Sequence, residues 1–175
     1  MNDSFGEILH NFFRDRIPLV VSSILIILFC MPLNFFELSG LRPQVGLICV
    51  YYWIEKRPNI FNSGSAFLLG LLMDICSTTP LGINCVMLTL FSLALGQIYR
   101  YIRPASFTVD WLFFALAIVL YMFLKWLIFG AYFGELLDIT TVLPNVFSTL
   151  MFYPLIAYVN NFIMLRFLTQ EKINE

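Results

Sequence analysis

Two charges stand inside apolar runs of this 175-residue chain, Asp74 and Lys125, and any chemistry within a membrane would fall to them first. Asp74 closes the run Ala66–Met73 and precedes Cys76-Ser77-Thr78-Thr79-Pro80-Leu81-Gly82. An ionisable side chain placed in or beside a span costs several kcal/mol, so it marks a functional hypothesis by default. Asp74 has three readings: a helix-end carboxylate that reaches the outer interface or hydrogen-bonds the turn before Pro80, a contact for a partner or ligand, or a station in a proton or ion relay. Lys125 lies about 16 residues beyond Val109, or ~24 Å along a helix, deep enough for its stem to snorkel to the far headgroups. A buried Lys125–Asp74 pair is the alternative, with Glu135 and Asp138 as competing partners. Pro80 cannot continue a helix, Thr79 before it is biased to extended geometry, and Gly82 is read as permitting close backbone approach.

Other chemistry is thinly supplied. The four cysteines (Cys30, Cys49, Cys76, Cys85) form no C-x-x-C pair and sit in or beside apolar runs, as packing thiols do. His10 is the single histidine, and no P-loop, H-E-x-x-H or G-x-G-x-x-G occurs. No catalytic residue, metal ligand or cofactor is therefore expected.

Composition explains why. Hydrophobic residues make up 60% of the chain and charged residues 12%, against about 45–50% and about 25% in soluble domains. Mean hydropathy is +0.85. So few charges cannot cover a water-soluble globule, and a net charge of −1 lacks the basic excess of a nucleic-acid binder. The chain reads as an all-α, polytopic membrane helix bundle.

A span needs roughly 17–25 apolar residues. Ile17–Phe36, Leu81–Tyr99 and Val109–Phe133 qualify, and Thr140–Leu165 does so with Pro144, Pro154, Asn160 and Asn161 inside it, which predicts a bend or a re-satisfied break. Leu41–Ile54 and Asn62–Cys76 are shorter, either two short spans or one re-entrant hairpin. About six transmembrane helices is the expected count. Placing the N-terminus in the cytoplasm puts Arg14, Arg16, Lys56, Arg57, Arg100, Arg103, Arg166 and Lys172 inside and only Arg42 outside, the asymmetry of the positive-inside rule.

Ahead of the first span, Phe5, Ile8, Leu9, Phe12 and Phe13 share one helical face, and Ser4 with Glu7 has capping-box spacing. Residues 1–16 are thus expected as an N-terminal amphipathic interfacial helix, 17–166 as a single transmembrane bundle and 167–175 as a cytoplasmic tail. The first apolar run is already span-length and lacks a small-residue cleavage site after Phe29-Cys30-Met31-Pro32, so it is expected to stay rather than act as a signal peptide. Gly130–Gly134, Ala66–Gly70 and Ser92–Gly96 have the spacing of close helix contacts. Trp53, Trp111, Tyr99 and Tyr101 fall where an interfacial aromatic belt would.

Within this frame, Arg42-Pro43, Tyr52-Trp53, Arg57-Pro58, Gly64, Gly70-Leu71-Leu72-Met73-Asp74 and Pro80-Leu81-Gly82 occur in an order that resembles the central signature of the rod-shape-determining membrane protein family MreD. The resemblance covers about Arg42–Gly96. It implies a non-enzymatic subunit of the bacterial cell-elongation machinery in the cytoplasmic membrane. Its implied partners are MreC, a bitopic scaffold, the actin-like MreB, and RodA with its class B penicillin-binding protein. The family is similar in architecture to S-components of energy-coupling vitamin transporters, so a small-solute binding subunit is the alternative function, built on Asp74, Asn84 and Lys125. For a scaffold, Gly130 and Gly134 with the neighbouring Glu135 and Asp138 form the expected partner face.

The charge asymmetry is checked directly by topology reporters. Fusions or cysteine labels at Thr79 and Glu135 are expected to report the periplasm, and those at Arg57 and Arg103 the cytoplasm. A cytoplasmic report at Thr79 would remove the six-span reading.

Overall fold

The computed structural model describes residues 3–30, 43–77, 80–101, 106–134 and 139–168, with the side chains of 3–15, 133, 139–141 and 167–168 left outside the description. The described chain folds as α1 (Asp3–Cys30), α2 (Val45–Lys56), α3 (Ser63–Cys76), α4 (Ile83–Tyr101), α5 (Phe107–Phe133) and α6 (Ile139–Ile163), followed by a π-helical turn, Met164–Leu168. No strand occurs among the described residues. Among the described residues, three helices are long and apolar enough to cross a membrane: Ile83–Tyr101, Phe107–Tyr132 and Val142–Arg166. From Asp3 to Cys30, the segment expected at the interface and the start of the expected first span form one continuous helix, with Pro18 inside it.

Local chemistry sets the helix ends. α2 stops where the Arg57 N–H returns to the Trp53 carbonyl at 2.7 Å, just before Pro58, which has no N–H to continue the ladder. α3 begins under Asn62, whose side-chain oxygen accepts from the Ser65 N–H at 3.1 Å, an N-cap. α5 ends at Gly134 with φ of 73°, the left-handed conformation that glycine reaches without steric penalty. α6 runs through both Pro144 and Pro154. Pro154 leaves the Leu150 carbonyl without its helical donor, and the Trp111 indole N–H supplies one from α5 at 3.4 Å. The expected break is therefore re-satisfied rather than opened.

The six helices alternate in direction. Near one end, a Cβ on Gly46 would meet Met73 and Ile26, and Asn84 bonds Lys125. Near the other, Tyr51 meets Tyr99 and Asp110, and Tyr52 meets Asn161. Parallel neighbours are thus α1 with α3, and α2 with both α4 and α6, as an up-and-down order requires. The pair Leu41–Ile54 and Asn62–Cys76 resolves into two separate antiparallel helices, α2 and α3, each shorter than the expected run.

α2 occupies the centre. Every residue from Val45 to Ile54 is buried, which suits a helix that is apolar on all sides. At 12 residues it is about 18 Å long, well short of the ~30 Å hydrocarbon thickness. Trp53 is fully buried and Tyr99 nearly so; these two leave the expected aromatic belt, because packing within the bundle outcompetes the interface. Trp111 and Tyr101 remain exposed.

The tightest contact lies between α3 and α4. A Cβ on Gly70 would stand 2.6 Å from the Cys85 Cα, 2.7 Å from the Asn84 carbonyl oxygen and 2.8 Å from the Cys85 nitrogen, all backbone atoms. Ala66–Gly70 is therefore a true close-packing face. At Gly96 an added Cβ meets nothing within 4 Å, so Ser92–Gly96 does not act as one here. Gly70→Ala is expected to destabilise by about 1–3 kcal/mol, while Gly96→Ala stays neutral or slightly stabilising, as thermal melts in detergent would show.

Candidate functional site

Asp74 lies at the last turn of α3, 2% exposed. One carboxylate oxygen accepts the Gly82 and Cys85 N–H groups at 2.9 and 3.2 Å, and the other accepts the Asn84 N–H at 3.1 Å. These donors are the first N–H groups of α4 and the turn before it, which have no partner inside the helix. The negative carboxylate also faces the positive end of the helix dipole. Asp74 thus ties the end of α3 to the start of α4, with these donors past Pro80 rather than in the turn before it.

Gly82 adopts φ of 104°, and a Cβ there would meet nothing within 4 Å. Its glycine is needed for backbone conformation and not for the close approach expected of it; Gly70 fills that role. Lys125 turns inward from α5 and donates to the Asn84 side-chain oxygen at 2.9 Å. Lys125 is within electrostatic reach of Asp74, so the two intramembrane charges meet through Asn84. The competing acids Glu135 and Asp138 lie outside the described residues.

A second buried acid sits at the opposite end of the bundle. Asp110, in the first turn of α5, is 5% exposed. The Tyr51 hydroxyl lies 3.0 Å from both its carboxylate and its backbone carbonyl, and the Tyr153 hydroxyl donates to the other carboxylate oxygen. The rings reinforce this cluster: Phe114 stacks on Tyr153 at 4.2 Å, and Tyr51 packs edge-on against Phe114, Tyr99 and Tyr153. Asp110 thus joins α2, α5 and α6. Sequence reasoning missed it because an acid in a first turn is already explained by the helix dipole. The available signal was a carboxylate inside a 27-residue apolar helix.

The remaining signature residues are mostly architectural. The Pro43 carbonyl accepts the Val45 N–H at the start of α2. The Tyr52 hydroxyl reaches Asn161 at 3.3 Å, Trp53 fills the core, and Arg57-Pro58 ends α2. Gly64 lies in the first turn of α3, Pro80 and Leu81 in the turn held by Asp74, and Arg42 outside the described residues. Gly134, one of the four residues of the expected partner face, is the left-handed cap of α5, its N–H bonded to the Gly130 carbonyl at 2.9 Å.

A family model described as "rod shape-determining protein MreD" matches residues 11–162. That span holds both buried aspartates and their hydrogen-bond partners. No curated protein matches the chain significantly, and no solved structure does.

The three N–H groups on Asp74 predict a graded response. Asp74→Asn turns an amide NH₂ toward at least one donor and is expected to cost about 1–3 kcal/mol. Asp74→Leu orphans all three and should cost more, lowering the melting midpoint in detergent and abolishing complementation. An Asn variant as stable as the parent would show that neither the charge nor the third hydrogen bond matters.

Proposed function

The chain belongs to the MreD family of rod shape-determining membrane proteins, and from that premise we propose that it is the non-enzymatic membrane subunit that gathers the elongation machinery. In this reading it holds an MreC-like bitopic scaffold and, through it, actin-like MreB and the RodA–class B penicillin-binding protein pair. It does so in the bacterial cytoplasmic membrane, with both termini cytoplasmic, an interfacial segment at 1–16, a bundle at 17–166 and a short tail at 167–175. The family match over most of the chain is the observation that carries this reading.

The side-chain chemistry agrees with it. A solute binder would need the polar groups near Asp74 to converge on a ligand. Instead the Asp74 carboxylate takes three backbone N–H groups and Lys125 takes Asn84. These groups are employed in holding helices together, which favours scaffolding over the S-component-like alternative.

Helix faces must carry the partner contacts, since the connections are short. The outer end of α5, with Gly130, Gly134, Glu135 and Asp138, is the proposed docking face for the bitopic partner's span. An added Cβ on Gly134 meets nothing within 4 Å, but its φ of 73° makes any side chain there strained. Gly130→Leu alone is therefore the cleaner probe. Co-purification with an MreC-like protein should be retained by the parent chain and lost in Gly130→Leu, with the variant still monodisperse. Failure of the parent chain to retain that protein would overturn the scaffold reading. An unfolded variant would assign Gly130 to the internal bundle and move the partner face elsewhere.

A further inference from the structure

Beside the Asp110 cluster, a groove of about 340 Å³ opens between α2, α5 and α6, a volume in the range of small-molecule sites. Asp110 lines its floor, Tyr52, Phe107, Tyr153 and Tyr158 its walls, and Lys56 its rim. Phe107 and Tyr158 are 60% and 72% exposed, so the groove faces outward from the bundle. Asp110 lies four residues past the N-cap Ser106, about 6 Å along the helix axis.

The charges of this region are unbalanced. Lys56 is held by one Glu55 oxygen at 2.6 Å, while the other is buried with no hydrogen-bond partner among the described residues. Glu55 and Asp110 are within electrostatic reach of each other. Two acids thus stand beside the one ammonium group that lines this groove. A buried pair of acids with a single counterion is costly, and a cation entering over tyrosine and phenylalanine faces gains from their ring quadrupoles as well.

A track for an acyl chain leads away from the groove. Leu155, Met151, Phe147 and Leu143 follow one another every fourth residue up α6, and all are more than half exposed. This stripe is about 18 Å long, close to the hydrocarbon depth of one leaflet.

We propose that the groove seats a phospholipid carrying a primary ammonium headgroup, such as phosphatidylethanolamine, with the ammonium on Asp110 and an acyl chain along the α6 stripe. The site does not depend on any protein partner. Native mass spectrometry of the full chain in detergent tests it, with phosphatidylethanolamine and phosphatidylglycerol of matched acyl chains added in equal amounts. The parent chain should retain phosphatidylethanolamine preferentially, and Asp110→Asn should lower that retention by about tenfold or more, as expected for losing a charge-assisted hydrogen bond. Phe107→Ala with Tyr158→Ala removes only exposed walls and should weaken retention without changing the melting midpoint, so the site stays testable if Asp110→Asn does not fold. Equal retention of both lipids, or an unchanged preference in the wall variant, would overturn the proposal. So would a lysine-ended span-length peptide that binds the groove when phosphatidylethanolamine does not.

Discussion

A carboxylate inside an apolar bundle is tolerated only where the protein itself supplies hydrogen-bond donors, and two aspartates impose that condition at opposite ends of this molecule. Asp74 meets it with backbone. Its three N–H partners all belong to the next helix or the turn leading into it, so the turn's shape, the Gly82 conformation and the close approach at Gly70 follow together. Asp110 meets it with phenols from α2 and α6, which fixes the central helix against the last one. Local sequence stitches one end, and long-range packing stitches the other.

That difference governs what can be read from the residues in order. The Asp74 turn was legible because its donors lie 8 to 11 residues away in sequence and Pro80 and Gly82 punctuate the interval. The partners of Asp110 lie 59 and 43 residues away, beyond any spacing rule. Alternation of the helices was legible from charge placement, and the membrane class from composition. Trp53 was misread as an interfacial anchor because its place beside Glu55, Lys56 and Arg57 suggests a span end. Burial of α2 on all sides is set by five neighbouring helices, and no periodicity within twelve residues encodes them. Pro154 is read as a bend or a re-satisfied break, and the indole of Trp111 re-satisfies it as a contact between α5 and α6.

The glycines divide by physical role in a way that spacing alone conceals. Gly70 has no room for a side chain, Gly82 and Gly134 have room but adopt positive φ, and Gly96 is unconstrained on both counts. Small-residue repeats in apolar chains therefore contain packing contacts, caps and neutral positions alike. Shape determination asks this membrane protein for durable geometry, and the geometry rests on a few such positions together with two acids.

The enclosed position of α2 also bears on how the chain is made. Its first contact with α6, the Gln44 N–H on Thr149, joins residues 105 positions apart. At ribosomal rates of ~5–20 residues per second, roughly 5–20 s separate the emergence of the two. Through that interval a helix too short for the bilayer, with Tyr51, Tyr52 and Glu55 at one end, has no sixth helix to close its side. The insertion machinery, rather than lipid, must shelter it until synthesis is nearly complete.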